Sequence, residues 1–272
     1  MQYCIDYDNP ETFPKSLRDW GSDFENMILS KINLDKVSEW WQIQNQLQDL
    51  HIEEMEIISD FVKENAELEV AVCHCARILD VNDYWNNGII TAGGKNSLGE
   101  ERIRNLLDNI GVPQDKINVI LDKVNDYWVR DRTSRTKSVH FFIDKKLVSK
   151  DITIADFAIN LGGEILKWAL EAIDKDLYKQ EPYKRLWING TPSVIKFKCK
   201  ISDIHEVCRD MLIAEIVKYF IVCDLFHYKY EFEFTGMTKG SVLPENIISI
   251  EEIKGFIEMQ KQYSEFKNFY YE

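Results

Sequence analysis

The chain has 272 residues, of which 45% are hydrophobic, so it can bury the core of one large domain or of a domain with an appended lobe. The formal net charge is −13, and so acidic a surface argues against a general nucleic-acid coat protein because it repels phosphate backbones. Six cysteines are scattered, mostly in apolar runs, which is typical of reduced, buried thiols: Cys4, Cys73, Cys75, Cys199, Cys208 and Cys223.

The N-terminal sequence has no basic segment followed by an apolar one, so we expect no secretory signal. No stretch approaches the roughly 18 apolar residues of a membrane span. These patterns predict a cytoplasmic protein that does not interact with a membrane.

The first third of the chain has a helical pattern. Segments 33–50 and 52–68 are rich in Glu and Gln, and the first places Trp40 and Trp41 on an apolar side at helical spacing. We predict an N-terminal helical region, residues 1–67, that packs on the main domain. Alternatively, its apolar side docks a protein partner.

A buried strand is predicted in "LEVAVCHCARI" (68–78), because the run is short and mostly apolar. In the following "DVNDYWNNGII", Asp80 is suited to cap a short helix and Gly88 to end it in the left-handed conformation. After a glycine-rich loop we predict a helical insertion, residues 98–128, made of two helices, with Gly111 ending the first and Pro113 opening the second.

The remainder mixes strands and helices. Residues 129–150 are locally basic and contain the β-branched and aromatic run "SVHFFID", which predicts a strand. Residues 153–173 have a helical pattern that Gly162-Gly163 interrupts. "PSVIKFKCKI" alternates as a half-buried strand does, a long helix follows, and "HYKYEFEFTG" and "NIISIEEIK" are strand-like.

The motif Cys73-His74-Cys75 has several interpretations. Zinc could be held there or by Cys199, His205 and Cys208, but successive strand residues face opposite sides, which favours two core cysteines and one histidine on the other face. The same divergence disfavours a Cys–His nucleophile. A zinc-stabilised binding module remains an alternative.

The strand also carries two side chains suited to a nucleotide. A histidine can hydrogen-bond a ribose hydroxyl, and an arginine can bind pyrophosphate through two parallel hydrogen bonds. His74 and Arg77, followed by a short helix, therefore predict a dinucleotide site.

The run "HCARILDVNDYWNNGI" resembles the first motif of the ADP-ribosyltransferase superfamily, with His74, Cys75 and Arg77 in frame and Gly88 following the short helix. "INLGGEILKWAL" is similar to the glutamate-bearing segment of diphtheria-toxin-type and DNA-modifying members, with Glu164 as the match. "GSVLPENIISIEEI" is similar to the closing segment of many such domains.

The resemblance implies an NAD site in which His74 binds a ribose and Arg77 the pyrophosphate, with Ser138 and Phe141 as further cofactor-binding candidates. It also implies that the Glu164 carboxylate stabilises positive charge developing on the ribose, so His74 and Glu164 are the predicted catalytic residues. Structural roles remain open, with His74 as a core histidine and Glu164 complementing a helix dipole.

The fold that the resemblance implies is α+β, with a split β core over residues 68–272 that contains the 98–128 insertion. The implied activity is that of a glycosyltransferase that moves ADP-ribose from NAD to a macromolecular acceptor. The acidic total charge favours a protein acceptor, and the basic segment 130–150 keeps a nucleic-acid acceptor open. A bacterial toxin or a phage-defence (antiviral) effector fits either acceptor.

Overall fold

The structure is a computed structural model that describes residues 4–31, 41–42, 45–46, 61, 65, 67–130, 136–150, 158, 161–220, 223 and 234–256. The protein is mixed α+β, as the sequence predicts. The chain divides into two compact units, Met1–Ala71 with Lys198–Gly236 and Val72–Phe197 with Met237–Glu272. The predicted division after residue 67 does not include the later segment that groups with the N-terminal one.

Groups of helices separate most of the strands along the described residues. The helices are α1 (Lys15–Leu29), α2 (Val81–Asn87), α3 (Leu98–Asn109), α4 (Gln114–Arg130), α5 (Leu147–Lys150), α6 (Gly163–Ile173), α7 (Arg185–Ile188) and α8 (Glu206–Tyr219). The strands are β1 (Glu69–Ile78), β2 (His140–Phe142), β3 (Thr191–Lys200), β4 (Thr235–Met237) and β5 (Ile247–Glu252). Within the described ranges, no helix combines the length and the apolar character that crossing a bilayer requires.

The strands form a sheet in the order β4-β2-β1-β3-β5, which places β1 at the centre. β1 pairs antiparallel with β2, with Cys73 opposite Phe142, and β3 pairs antiparallel with β5. Every residue of β1 except Glu69 and His74 is buried, which is typical of a strand that is covered on both faces. The predicted apolar strand is confirmed at this position.

The helices of the predicted insertion form part of a hydrophobic cluster. α3 and α4 are both present, and Gly111, at a φ of +89°, separates them as predicted. Leu107, Ile117 and Leu166 are fully buried in the cluster, which joins α3, α4 and α6. This packing holds the first turn of α6 in place.

α6 begins at the glycine pair that the sequence analysis expects to interrupt the helical pattern. The observed helix starts at Gly163, with Gly162 as its N-cap. Gly162 and Gly163 have φ angles of +83° and +70°, which interrupt a right-handed helix, so the pair begins α6 instead of lying inside it. Residues 153–157 lie outside the described part of the chain.

The two cysteines of the Cys-His-Cys motif belong to a second hydrophobic cluster. Cys73 and Cys75 pack there with Phe142, Val194 and Phe256. Burial raises the pKa of the Cys75 thiol to about 12, which keeps it protonated and unreactive. The packing interpretation of these cysteines therefore agrees with the structure.

The N-terminal unit has an aromatic core of its own. Trp20 stacks on Phe24 with ring centres 5.3 Å apart and meets the edge of Phe61 at 4.9 Å. Ile5 forms a parallel bridge with Val70 at the start of β1. Most of the predicted helices 33–50 and 52–68, Trp40 included, lie outside the described residues.

The end of α2 depends on a glycine. Asp80 caps the helix by accepting a hydrogen bond from the Asn82 N–H at 2.9 Å, as predicted. Gly88 has a φ of 74° and a ψ of −164°, a glycine-only extended conformation and not the left-handed helical one that we predicted. This conformation lets Ile89 pair with Val242 through hydrogen bonds of 3.0 and 2.9 Å.

We predict that Gly88→Ala lowers the free energy of unfolding by at least about 2 kcal/mol, because a Cβ there would lie 2.0 Å from the Val242 carbonyl oxygen and the backbone would be strained. Urea unfolding of the full chain measures the change. Gly240→Ala is the matched control, since a Cβ there meets nothing within 4 Å and should cost less than about 0.5 kcal/mol. Equal effects of the two variants would contradict the prediction.

Candidate functional site

The unit that contains Val72–Phe197 has a cavity of about 460 Å³. β1, β2, α2, α3 and the first turn of α6 all contribute residues to its wall. Four of the five sequence-predicted site residues line it: His74, Arg77, Ser138 and Glu164. The fold thus brings together His74 and Glu164, which are 90 positions apart in the sequence.

His74 is the one residue in the interior of β1 that is only half-buried. Its Nδ1 lies 2.8 Å from the backbone carbonyl oxygen of His140 on β2. Because a carbonyl oxygen can only accept, Nδ1 carries the proton and donates, which leaves Nε2 as an acceptor in the neutral ring. Burial lowers the pKa of His74, while the bond to His140 opposes that shift. The imidazole is therefore neutral, with a fixed tautomer, at neutral pH.

Glu164 lies in the first turn of α6, directly after the glycine pair. It is half-buried and lines the cavity together with Gly162 and Gly163. A carboxylate at this end of a helix is favoured by the helix dipole, so the position stabilises a negative charge beside the cavity. His74 and Glu164 consequently offer an acceptor nitrogen and a carboxylate to the same space.

Arg77 is committed to the backbone. Its Nε donates to the Ala158 carbonyl at 3.3 Å, and its Nη1 lies 3.2 Å from the Gly190 carbonyl oxygen and 3.4 Å from that of Asn189. The residue is 9% exposed, and its guanidinium lies 5.7 Å from the centre of the Phe256 ring. These contacts engage the guanidinium with the backbone, while Arg77 also lines the cavity, so its role as a pyrophosphate ligand stays a prediction.

Phe141 was a predicted cofactor-binding residue, and the structure places its ring in the core. Its side chain is 2% exposed and meets the edge of Phe197 at 6.4 Å between ring centres. The ring belongs to the core and does not line the cavity. The predicted strand is confirmed, but packing against Phe197 buries this aromatic ring in the core. Ser138, which is buried and lines the cavity, remains a candidate.

The sequence analysis missed a polar group on the opposite wall. Asp83 and Tyr84 of α2 and Arg102 of α3 all line the cavity. Arg102 forms an ion pair with Asp83 through Nη2 and Oδ2, and its guanidinium carbon lies 5.1 Å from the centre of the Tyr84 ring. The clustered charges of "EERIRN" were a signal, but only packing shows which of them face α2.

The zinc interpretation finds no support in the described residues. Cys73 and Cys75 face the core, away from His74, and no group of three or more His, Cys, Asp or Glu side chains in that part of the chain could hold a metal ion. Cys199 and Cys208, which form the second sequence cluster with His205, are buried thiols. Burial raises the pKa of Cys199 to about 12.

Comparisons with protein-family models, with curated proteins and with solved structures find no significant match. The fold and the cavity define a mixed α+β protein with a cavity lined by β1, β2, α2, α3 and the first turn of α6.

The lowered pKa of His74 predicts a pH dependence of stability. In the unfolded chain this histidine is protonated near its ordinary pKa of 6.5, whereas the folded protein resists protonation because burial lowers that pKa. Stability is therefore full above that value and is lost as the pH falls below it, by at most about 1.4 kcal/mol per pH unit.

We expect the free energy of unfolding of the wild type, minus that of His74→Gln, to decrease between pH 7.5 and pH 5.5. Urea unfolding of both proteins at intervals of half a pH unit measures this difference. Above pH 7.5 the two profiles should run parallel, which provides the internal control. A difference that stays flat down to pH 5.5 would rule out the lowered pKa.

Proposed function

We propose that the cavity binds NAD and that the protein transfers ADP-ribose from NAD to a macromolecular acceptor, as an ADP-ribosyltransferase-like enzyme. The observation that carries this proposal is the convergence of His74 and Glu164 on one cavity. Its volume of about 460 Å³ lies within the range of roughly 300–1,000 Å³ typical of small-molecule sites.

The chemistry of the two side chains fits a ribose. Nε2 of neutral His74 can accept a hydrogen bond from a ribose hydroxyl, while Nδ1 is held by His140. A neutral ring adds no positive charge beside a ribose on which positive charge develops. The fixed tautomer therefore supports His74 as the residue that positions the ribose.

Glu164 supplies the opposite charge. NAD, as the substrate, provides a ribose whose bond to nicotinamide breaks with the electron pair leaving on nicotinamide, while the acceptor bonds to the same carbon and releases a proton. The Glu164 carboxylate stabilises the developing charge and accepts a hydrogen bond from a ribose hydroxyl. Ser138, on the same cavity, is the further NAD-binding residue of the proposal.

The charge of the protein bears on which macromolecule accepts the ADP-ribose. A formal net charge of −13 favours a protein acceptor, and the basic residues between 130 and 150 keep a nucleic-acid acceptor within the proposal. An activity of this kind suits a cytoplasmic toxin or a phage-defence effector. Labelling of separate protein and nucleic-acid fractions distinguishes the acceptors.

A second candidate is a non-enzymatic protein that docks a partner through its N-terminal helices. Trp41 favours it, since its side chain is 54% exposed, which is unusual for so large an apolar group. In that case the cavity has no catalytic role, and changes to Glu164 leave every function of the protein unaltered.

We expect the purified protein to label a fraction of cell extract when it is incubated with NAD that carries a label on its ADP-ribose part. His74→Ala and Glu164→Gln should each lower the initial rate at least about 100-fold, because both remove stabilisation of the reacting ribose. Glu171→Gln, on the same helix but outside the cavity wall, is the matched control and should keep the wild-type rate.

Labelling that persists in Glu164→Gln would exclude the carboxylate from catalysis. Wild-type protein that labels neither fraction and does not release nicotinamide would exclude the transferase altogether.

A further inference from the structure

We propose that Arg102 is the residue that binds the phosphates of the cavity's ligand, and that Asp83 and Tyr84 hold its guanidinium in place. This inference rests on the proposed function, because it takes the ligand to be a nucleoside diphosphate such as the ADP part of NAD. It gives the phosphate-binding role to Arg102 because the described donors of Arg77 are engaged with backbone carbonyl oxygens.

Few cations are available at the cavity. Among the described residues that line it, Arg77 and Arg102 are the only lysine or arginine side chains. Arg77 donates to three backbone carbonyl oxygens, whereas the only hydrogen bond described for Arg102 joins its Nη2 to Asp83. A guanidinium has five N–H donors, so most of those on Arg102 remain for two phosphate oxygens.

The Arg102 side chain is held before any ligand arrives. Asp83 accepts from Arg102 on Oδ2 and from the Asn87 side-chain amide on Oδ1 at 2.7 Å, so its carboxylate is fixed on both oxygens. The face of Tyr84 lies under the guanidinium, at 5.1 Å, which adds cation–π attraction. A guanidinium fixed in this way loses little conformational freedom when it binds a phosphate.

The acidic residues of the cavity wall make Arg102 important for the binding of an anionic ligand. Asp80, Asp83 and Glu164 all line the cavity and repel an anionic ligand, while His74 is neutral. With Arg77 committed to the backbone, Arg102 is the arginine of the described wall that can offset this repulsion. Ligands without phosphates should bind independently of it.

A purely structural ion pair between α2 and α3 is the competing explanation. In that case Arg102→Gln and Asp83→Asn should change ADP binding to the same extent. If Arg102 binds phosphate, the two partners have unequal effects, because Asp83→Asn loses the fixed position of the guanidinium but keeps its donors and removes a negative charge. The comparison of the two variants therefore separates the explanations.

The experiment is titration calorimetry of the full chain with ADP-ribose, ADP and adenosine. Arg102→Gln should weaken the binding of ADP and ADP-ribose at least about tenfold and leave adenosine unchanged, since charge-assisted hydrogen bonds to phosphate are lost. Asp83→Asn should weaken ADP binding clearly less than Arg102→Gln does, since the phosphate-binding donors remain and the lost positioning is partly offset by removal of a negative charge. Arg104→Gln is the matched control on α3, since Arg104 pairs with Glu100 and Asn118 away from the cavity wall and its loss should change no affinity.

Thermal unfolding of each variant verifies that it folds. If Arg102→Gln does not fold, Arg102→Lys replaces it, because a lysine keeps the charge and loses the paired geometry, and ADP binding should still weaken several-fold. The inference is overturned if Asp83→Asn weakens ADP binding as much as Arg102→Gln, if Arg102→Gln leaves ADP affinity unchanged, or if the wild type does not bind ADP.

These outcomes are distinguishable from those that test the transferase. ADP binding that depends on Arg102, without any NAD-dependent labelling, supports the phosphate site and excludes the transfer reaction. Labelling that needs His74 and Glu164, together with an unchanged affinity for ADP in Arg102→Gln, supports the reaction and excludes this phosphate site.

Discussion

A strand at the centre of a sheet can keep a polar side chain only where that side chain finds a hydrogen-bond partner or an opening in the core. β1 is such a strand, and His74 meets both conditions because its Nδ1 donates to the His140 carbonyl and its ring lines the cavity. Cys73 and Cys75 face the opposite side, where they pack in the core. The site follows from this difference between the two faces.

The same constraint separates the two arginines of the cavity wall. Arg77 leaves β1 on the side of Cys73 and Cys75, and there its guanidinium donates to the backbone carbonyl oxygens of Ala158 and Gly190. Arg102 comes from α3, where a carboxylate and an aromatic face hold it at the wall. Equal charges thus have different roles, because one guanidinium is committed to the fold and the other keeps donors for a ligand.

Several elements could be predicted because their causes are local. The cap at Asp80, the end of α3 at Gly111 and the strand in "SVHFFID" each depend on residues within a few positions. The interruption at Gly162-Gly163 is also local, since the positive φ of both glycines decides where α6 begins. Phe141 was expected at the NAD site only from the resemblance, and an aromatic residue on a strand has the same pattern whether it packs in the core or lines a site.

By itself, the sequence determined the mixed α+β class, the central apolar strand and the alternation that sets His74 apart from its flanking cysteines. These depend on periodicity and on the conformational preferences of single residues, which the order of the chain contains. Only the tertiary structure decided that Glu164 lies on the same cavity as His74, that Arg77 is committed to carbonyls, and that Arg102 pairs with Asp83. Each of these depends on groups brought together across many residues by packing of the core, and such proximity has no signature in local spacing.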